Sequence, residues 1–218
     1  ILLSISVIVF SQGASWLMDL NEGYYPALFV LMGLAMAGSG YAISRMPTQP
    51  LTLDIVRSAW ANLELAWKDR LFGYMLFAWM LMGVANLMSL PLRTEYAASE
   101  AYGLNYSNTQ VALLTLVIPA GVRLVSLPLW GRLFDQVHFI KIRVAINACF
   151  MLSFIAYFNT QTFWMMALGS VFLGLAFGGG ALAWNLWVTK IAPAEKVSSY
   201  MTVHTSLTGL RGVLAPLA

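Results

Sequence analysis

The chain has 218 residues, of which 60% are apolar and only 10% charged, and its mean hydropathy is +0.74. A soluble domain carries about 25% charged residues because its surface must face water, so most of this exterior must face lipid. That excludes a soluble enzyme, a nucleic-acid-binding domain and a disordered chain.

Seven stretches approach the roughly 20 apolar residues that a helix needs to cross a hydrocarbon layer about 30 Å thick. They are 1–19, 26–44, 72–92, 110–130, 143–158, 163–189 and 200–218. The runs are far longer than barrel strands and lack two-residue alternation, so the expected fold is an all-α polytopic transmembrane helix bundle with seven spans. Ile1 lies inside an apolar run with no basic segment before it, and residues 213–218 also stop inside one. The chain is therefore expected to be an internal piece of a longer membrane protein. Cys149 is the single cysteine, so no internal disulfide can form.

After the second stretch, Met46-Pro47-Thr48-Gln49-Pro50 breaks the helix. Leu53, Val56, Trp60, Leu63 and Trp67 then recur at alternating steps of three and four, with Asp54, Arg57, Ser58, Asn62, Glu64 and Lys68 on the other faces. This pattern predicts an amphipathic helix lying at a membrane interface, with Glu64 placed to pair with Lys68 four residues on. It divides the chain into two spans at 1–45, a linker at 46–71 and five spans at 72–218.

The connecting segments alternate in charge. Arg45, Arg57, Lys68 and Arg70, then Arg132, Lys141 and Arg143, then Lys190 and Lys196 fall on one side, whereas the opposite segments hold only Arg93 with Asp19, Glu22, Glu95 and Glu100. Basic residues collect in cytoplasmic loops, so 45–71, 131–143 and 190–199 are expected to be cytoplasmic, in a plasma or inner membrane. The net charge of +3 thus reflects topology, and no nucleic-acid partner is expected.

Between the fourth and fifth stretches the chain reads Gly131-Arg132-Leu133-Phe134-Asp135-Gln136-Val137-His138, followed by Lys141 and Arg143. Gly131, Leu133 and Asp135 match in register the loop signature G-x-L-x-D-R-x-G-R-[RK], and Gln136 and His138 depart from its Arg and Gly. The segment resembles the short cytoplasmic loop of the major facilitator superfamily. The glycines at 174, 178, 179 and 180 and the turn Ala192-Pro193-Ala194-Glu195-Lys196 are also similar to that family. The resemblance implies helices five to eleven of twelve: the last two of an N-terminal six-helix bundle, a cytoplasmic linker and a truncated C-terminal bundle. It implies a gating loop formed by Gly131, Arg132, Leu133 and Asp135. Gly131 would permit close approach of a helix end, and Asp135 would accept N–H bonds at a neighbouring helix N-terminus near the start of the first span. The alternative is that Asp135 merely ends a helix in water.

Polar residues inside the stretches mark a candidate substrate cavity: Asn86, Arg123, Trp184, Asn185, His204 and Arg211. A charge near the bilayer centre costs about 2.5–3.5 kcal/mol on insertion scales. Arg123 and Arg211 therefore either bind an anionic group or gate by ion pairing, or else snorkel toward an interface. His204 is either a proton carrier or a hydrogen-bonded structural residue. Asn86 and Asn185 either face the cavity, as the resemblance implies for helices seven and ten, or bond between helices. Gly178-Gly179-Gly180 predicts close helix packing or a flexible point, and Pro119, Pro128 and Pro216 are predicted kink sites.

The expected function is a secondary active transporter that moves a small solute by alternating access. Its partners would be an anionic small-molecule substrate, a coupling proton or ion, and the lipid bilayer. The alternative is a non-transporting or receptor-like polytopic membrane protein. With two distant histidines, scattered acids and neither H-E-x-x-H nor G-x-S-x-G, no enzyme, cofactor or metal site is expected.

Overall fold

The computed structural model describes residues 2–47 and 62–214, and among these there are helices and turns but no strand. The long helices are α1 (Leu2–Leu20), α2 (Tyr25–Ser44), α4 (Arg70–Ala98), α5 (Asn108–Gln136), α6 (Phe139–Phe158), α7 (Phe163–Leu186) and α8 (Val197–Leu214), with a short α3 (Leu65–Lys68) before α4. Six of them are long and apolar enough to cross a membrane, and α8 is not among the six. The seventh expected span, 200–218, is covered only in part, since 215–218 lie outside the described residues. His204, Arg211 and the hydroxyls of Ser198, Ser199, Thr202, Thr205, Ser206 and Thr208 make α8 a partly polar helix.

The helices begin and end where local chemistry demands. Asp69 caps α4 by accepting the Phe72 N–H at 3.1 Å. Ser107 and Gln110 form a reciprocal capping box at the start of α5, which satisfies two donors that no helix can pair within itself. Leu113–Val117 widens into a π turn immediately before Pro119. Proline lacks an N–H and its ring crowds the carbonyl four residues back, so the ladder reregisters there. Pro91 lies inside α4, and Pro128 inside α5; Pro216 lies outside the described residues.

The interface helix predicted over 45–71 falls largely outside the described residues, including Leu53, Val56 and Trp60. Its last turn is α3, where Lys68 Nζ and Glu64 Oε2 pair at 2.8 Å as the spacing predicts. Trp67 is exposed, whereas Leu63 packs against the core.

Helix α7 occupies the centre, packed along α5 on one side and α6 on the other, because glycines remove the obstacles. A Cβ at Gly174 would strike Pro119 and Val122 of α5, and one at Gly178 would strike Ser126. Small residues let helix backbones approach in lipid, where no hydrophobic force drives association. Helix α1 lies along α5, and α2 buries no residue.

Loops gather at two ends of the bundle. At one end the Tyr200 hydroxyl donates to Asp69 Oδ2 at 3.0 Å, Phe72 stacks on Trp187, and Lys190 Nζ lies 4.9 Å over the Phe134 ring. At the other, the Tyr96 hydroxyl donates to the Thr160 carbonyl at 2.9 Å and Gln161 Nε2 to the Tyr102 carbonyl at 3.0 Å.

Two basic residues are not where the sequence reading puts them. Arg143 belongs to α6, which begins at Phe139, and it is only 4% exposed; Arg93 belongs to α4 and is 1% exposed. Neither is a loop residue. His138 caps α6 by accepting the Ile140 N–H on its Nδ1, so that helix starts early enough to carry Arg143 into the core.

Candidate functional site

The helices α4, α5, α6, α7 and α8 line an open cavity of about 410 Å³. Helix α4 contributes Trp79, Gly83 and Asn86 at steps of four and three, which is one helical face. Helix α5 contributes Arg123, α6 Phe150, α7 Phe177, Trp184 and Asn185, and α8 Arg211. Five of the six predicted cavity residues, Asn86, Arg123, Trp184, Asn185 and Arg211, thus meet around one space, although they come from four helices. Among the described residues, no Asp or Glu lines it.

The two arginines enter by different routes. The Arg211 guanidinium lies 5.2 Å over the Trp184 ring and against Gly83, where a Cβ would collide with Nη1. It is therefore directed across the bundle to α4 rather than along α8 to an interface. Arg123 lines both this cavity and a smaller one of about 140 Å³ between α1 and α5. The Nε atoms of both arginines are sealed from solvent without a hydrogen-bond partner among the described residues.

The two asparagines do not tie helices together. Asn185 Nδ2 donates to the Ala181 carbonyl of its own helix at 2.7 Å, and Asn86 Oδ1 is sealed without a partner among the described residues. A sealed amide oxygen without a donor is costly.

His204 does not line the cavity. It is 1% exposed and sits behind the wall, its ring 4.3 Å from Trp184, 5.3 Å from Trp187 and 6.2 Å from Trp79. Both ring nitrogens lack a partner among the described residues.

Arg143 is the residue that sequence reading missed. Its guanidinium lies 3.7 Å over the Trp79 ring, and all three of its nitrogens are sealed and unpartnered among the described residues. The available signal was the His138 cap before Phe139, which draws residue 143 into a helix. Trp79 carried a second signal, since it shares a helical face with Asn86.

The predicted gating-loop residues Gly131, Arg132, Leu133 and Asp135 belong to the end of α5, which runs to Gln136, rather than to a loop; Arg132 and Asp135 are exposed, and Leu133 packs against the core. A Cβ at Gly131 would meet nothing within 4 Å, so the expected close approach of a helix end at Gly131 is not made here. Asp135 has no hydrogen bond or ion pair with a described residue. Among the described residues no cluster of three or more His, Cys, Asp or Glu could hold a metal ion.

The family model described as Major Facilitator Superfamily matches residues 1–216. The chain belongs to the major facilitator superfamily. No curated protein and no solved structure matches it. Members of the superfamily are transporters rather than enzymes, so the chain is a membrane transporter of the major facilitator type, with the lipid bilayer around it and a small-molecule substrate. The helical bundle and its six apolar helices fit that assignment.

Proposed function

We propose that this chain supplies helices five to eleven of a secondary active transporter that moves a small anionic solute by alternating access, driven by a proton or another ion. Residues 1–45 end the first bundle, 46–71 link on the cytoplasmic side, and 72–218 begin the second bundle. The α5–α6 turn within 131–143 and the segment 190–199 share the cytoplasmic side with the linker, by the asymmetry of basic residues.

One observation carries the reading of the substrate: Arg123 and Arg211 line one cavity of about 410 Å³ with no acidic residue among its described walls. That size lies within the roughly 300–1,000 Å³ of small-molecule sites. Two cations in a low-dielectric space attract an anion, and a guanidinium offers a carboxylate two parallel donors that an ammonium cannot. Asn86, Asn185 and the Trp184 ring complete the wall with amide groups and an aromatic surface. Gating is assigned to the C-terminal end of α5, at Gly131, Arg132, Leu133 and Asp135.

The test is uptake of anionic, neutral and cationic solutes by the full-length protein and by Arg123→Lys and Arg211→Lys. Both variants should lose anion uptake at least tenfold, the equivalent of about 1.4 kcal/mol, while inserting normally. Wild-type rates in both variants, or selectivity for a cation, would overturn the anion site.

A further inference from the structure

Asp19 lies in the last turn of α1, and its carboxylate reaches the first turn of α5. Oδ1 accepts the Asn108 N–H at 2.8 Å and Oδ2 the Thr109 N–H at 2.9 Å. The next N–H, of Gln110, goes to Ser107 Oγ at 3.3 Å within the capping box. A helix leaves its first N–H groups unpaired and its N-terminus positive. Asp19 therefore supplies from another helix the acceptors and the charge that the start of α5 lacks. Farther along, α1 and α5 are less well fitted: Leu3, Ser4 and Val7 face Thr115, Leu116 and Pro119 across the cavity of about 140 Å³.

Helix α5 carries an aspartate at its other end as well. Asp135 is exposed and has no hydrogen bond or ion pair with a described residue. One helix is thus held at its N-terminal end and free of such a tie at its C-terminal end. Beside the held end lies a cavity of about 510 Å³ walled by Ser15 and Met18 of α1, Leu90, Arg93 and Thr94 of α4, and Asn108 and Thr115 of α5. The residue before Asp19 and one of the two residues it grips both belong to that wall, so parting of α1 from α5 would open the cavity at this end.

We propose that Asp19 is a reversible latch, closing α1 onto the α5 N-terminus at the end of the molecule opposite Asp135 and releasing it when that end opens. The proposal rests on the alternating-access reading. Asp19, Asn108 and Thr109 sit where water reaches the bonds. An exposed carboxylate at a helix N-terminus shifts an equilibrium by a factor of only about 2–5, a tie strong enough to bias two states and weak enough to break.

The experiment uses the full-length protein in liposomes. Asp19→Cys with Asn108→Cys, joined by a short reducible bis-thiol reagent, should lose uptake at least tenfold and recover it on reduction. The same reagent should leave the parent protein with Cys149 active. Cross-linked protein that transports at the uncross-linked rate would overturn the latch. In a second measurement, Asp19→Asn should raise the rate at which an impermeant thiol reagent labels Ser15→Cys by about two- to fivefold, with Asp19→Glu closer to the parent. An unchanged labelling rate would mean that Asp19 is a fixed cap. Failure of the transporter reading would appear differently, as absence of uptake of every solute by the parent protein, with the labelling result still readable.

Discussion

The guanidinium of Arg143 lies 3.7 Å over the ring of Trp79, which places a buried cation, unpaired among the described residues, directly behind a wall of the proposed substrate cavity. Burying an ion costs several kcal/mol, and a desolvated cation–π contact returns about 2 kcal/mol. The balance favours removing the charge. Arg143→Met, of similar length, should leave stability unchanged or raise it. Arg143→Lys should lower it by about 2 kcal/mol, because an ammonium is more strongly hydrated and does not stack as guanidinium does. Thermal unfolding of the purified protein in detergent separates the two. A large fall in Tm for Arg143→Met would show that the cation is net stabilising.

Gly83 gives Arg211 its place. A Cβ there would occupy the position of Arg211 Nη1, so Gly83→Ala must move the guanidinium out of the cavity wall. Expression and insertion should stay normal while anion uptake falls about tenfold, a change of about 1.4 kcal/mol. Unchanged uptake would show that Arg211 works from some other position, or does not act on the substrate.

The run Gly178-Gly179-Gly180 separates into two roles. A Cβ at Gly178 would meet Ser126, one at Gly179 would meet Trp130 and Ile146, and one at Gly180 would meet nothing within 4 Å. Alanine at 178 or 179 should therefore cost about 1–3 kcal/mol through overpacking. Alanine at 180 should be near neutral for stability and read out only in uptake, since Gly180 lines the cavity. Equal losses at all three positions, measured by unfolding, would refute this assignment of faces.

Arg93 and Ser153 form a second buried polar unit. Arg93 Nη2 donates to Ser153 Oγ at 2.6 Å, and Ser153 Oγ donates to the Gly169 carbonyl at 2.6 Å, which joins α4, α6 and α7. The guanidinium also lies 4.4 Å over the Tyr157 ring. Ser153→Ala deletes the one hydrogen-bond acceptor that a buried cation has among the described residues and should cost about 1.5–3 kcal/mol. Ser153→Thr, which keeps the hydroxyl, tests whether the bond rather than the volume matters. An Ala variant as stable as the parent would mean that the aromatic rings alone hold Arg93.

Much of the site was legible because a polar residue inside an apolar span is conspicuous. Asn86, Arg123, Asn185 and Arg211 stood out by composition alone, and Trp184 by standing beside Asn185. They converge on one cavity because each has to avoid lipid. His204 stood out by the same rule, yet it lies behind Trp184, since a cluster of tryptophans shields it as well as a cavity would. Arg143 was hidden by its apparent place in a loop: basic residues near a span end are read as topology signals, and the only local sign of a helix that starts four residues earlier is the cap at His138, a residue type that is not among the favoured caps. The tie from Asp19 to Asn108 and Thr109 joins residues 89 and 90 positions apart, a separation that no local pattern encodes.

What the sequence determined by itself was the presence and the approximate positions of the lipid-crossing helices, though not their exact ends. In hydrocarbon every backbone N–H and C=O must be satisfied within the segment, so an apolar run of sufficient length has one outcome wherever its neighbours lie. The polar breaks and the basic asymmetry likewise act locally, through solvation and capping. What only the tertiary structure decided was the rotation of each helix about its axis, and with it the cavity. Arg211 faces Trp184 and Gly83, and Gly178 admits Ser126, because these surfaces fit one another. In lipid, helix rotation is set by close packing and interhelical polar contacts rather than by hydrophobicity, and that fit exists only once both helices are present.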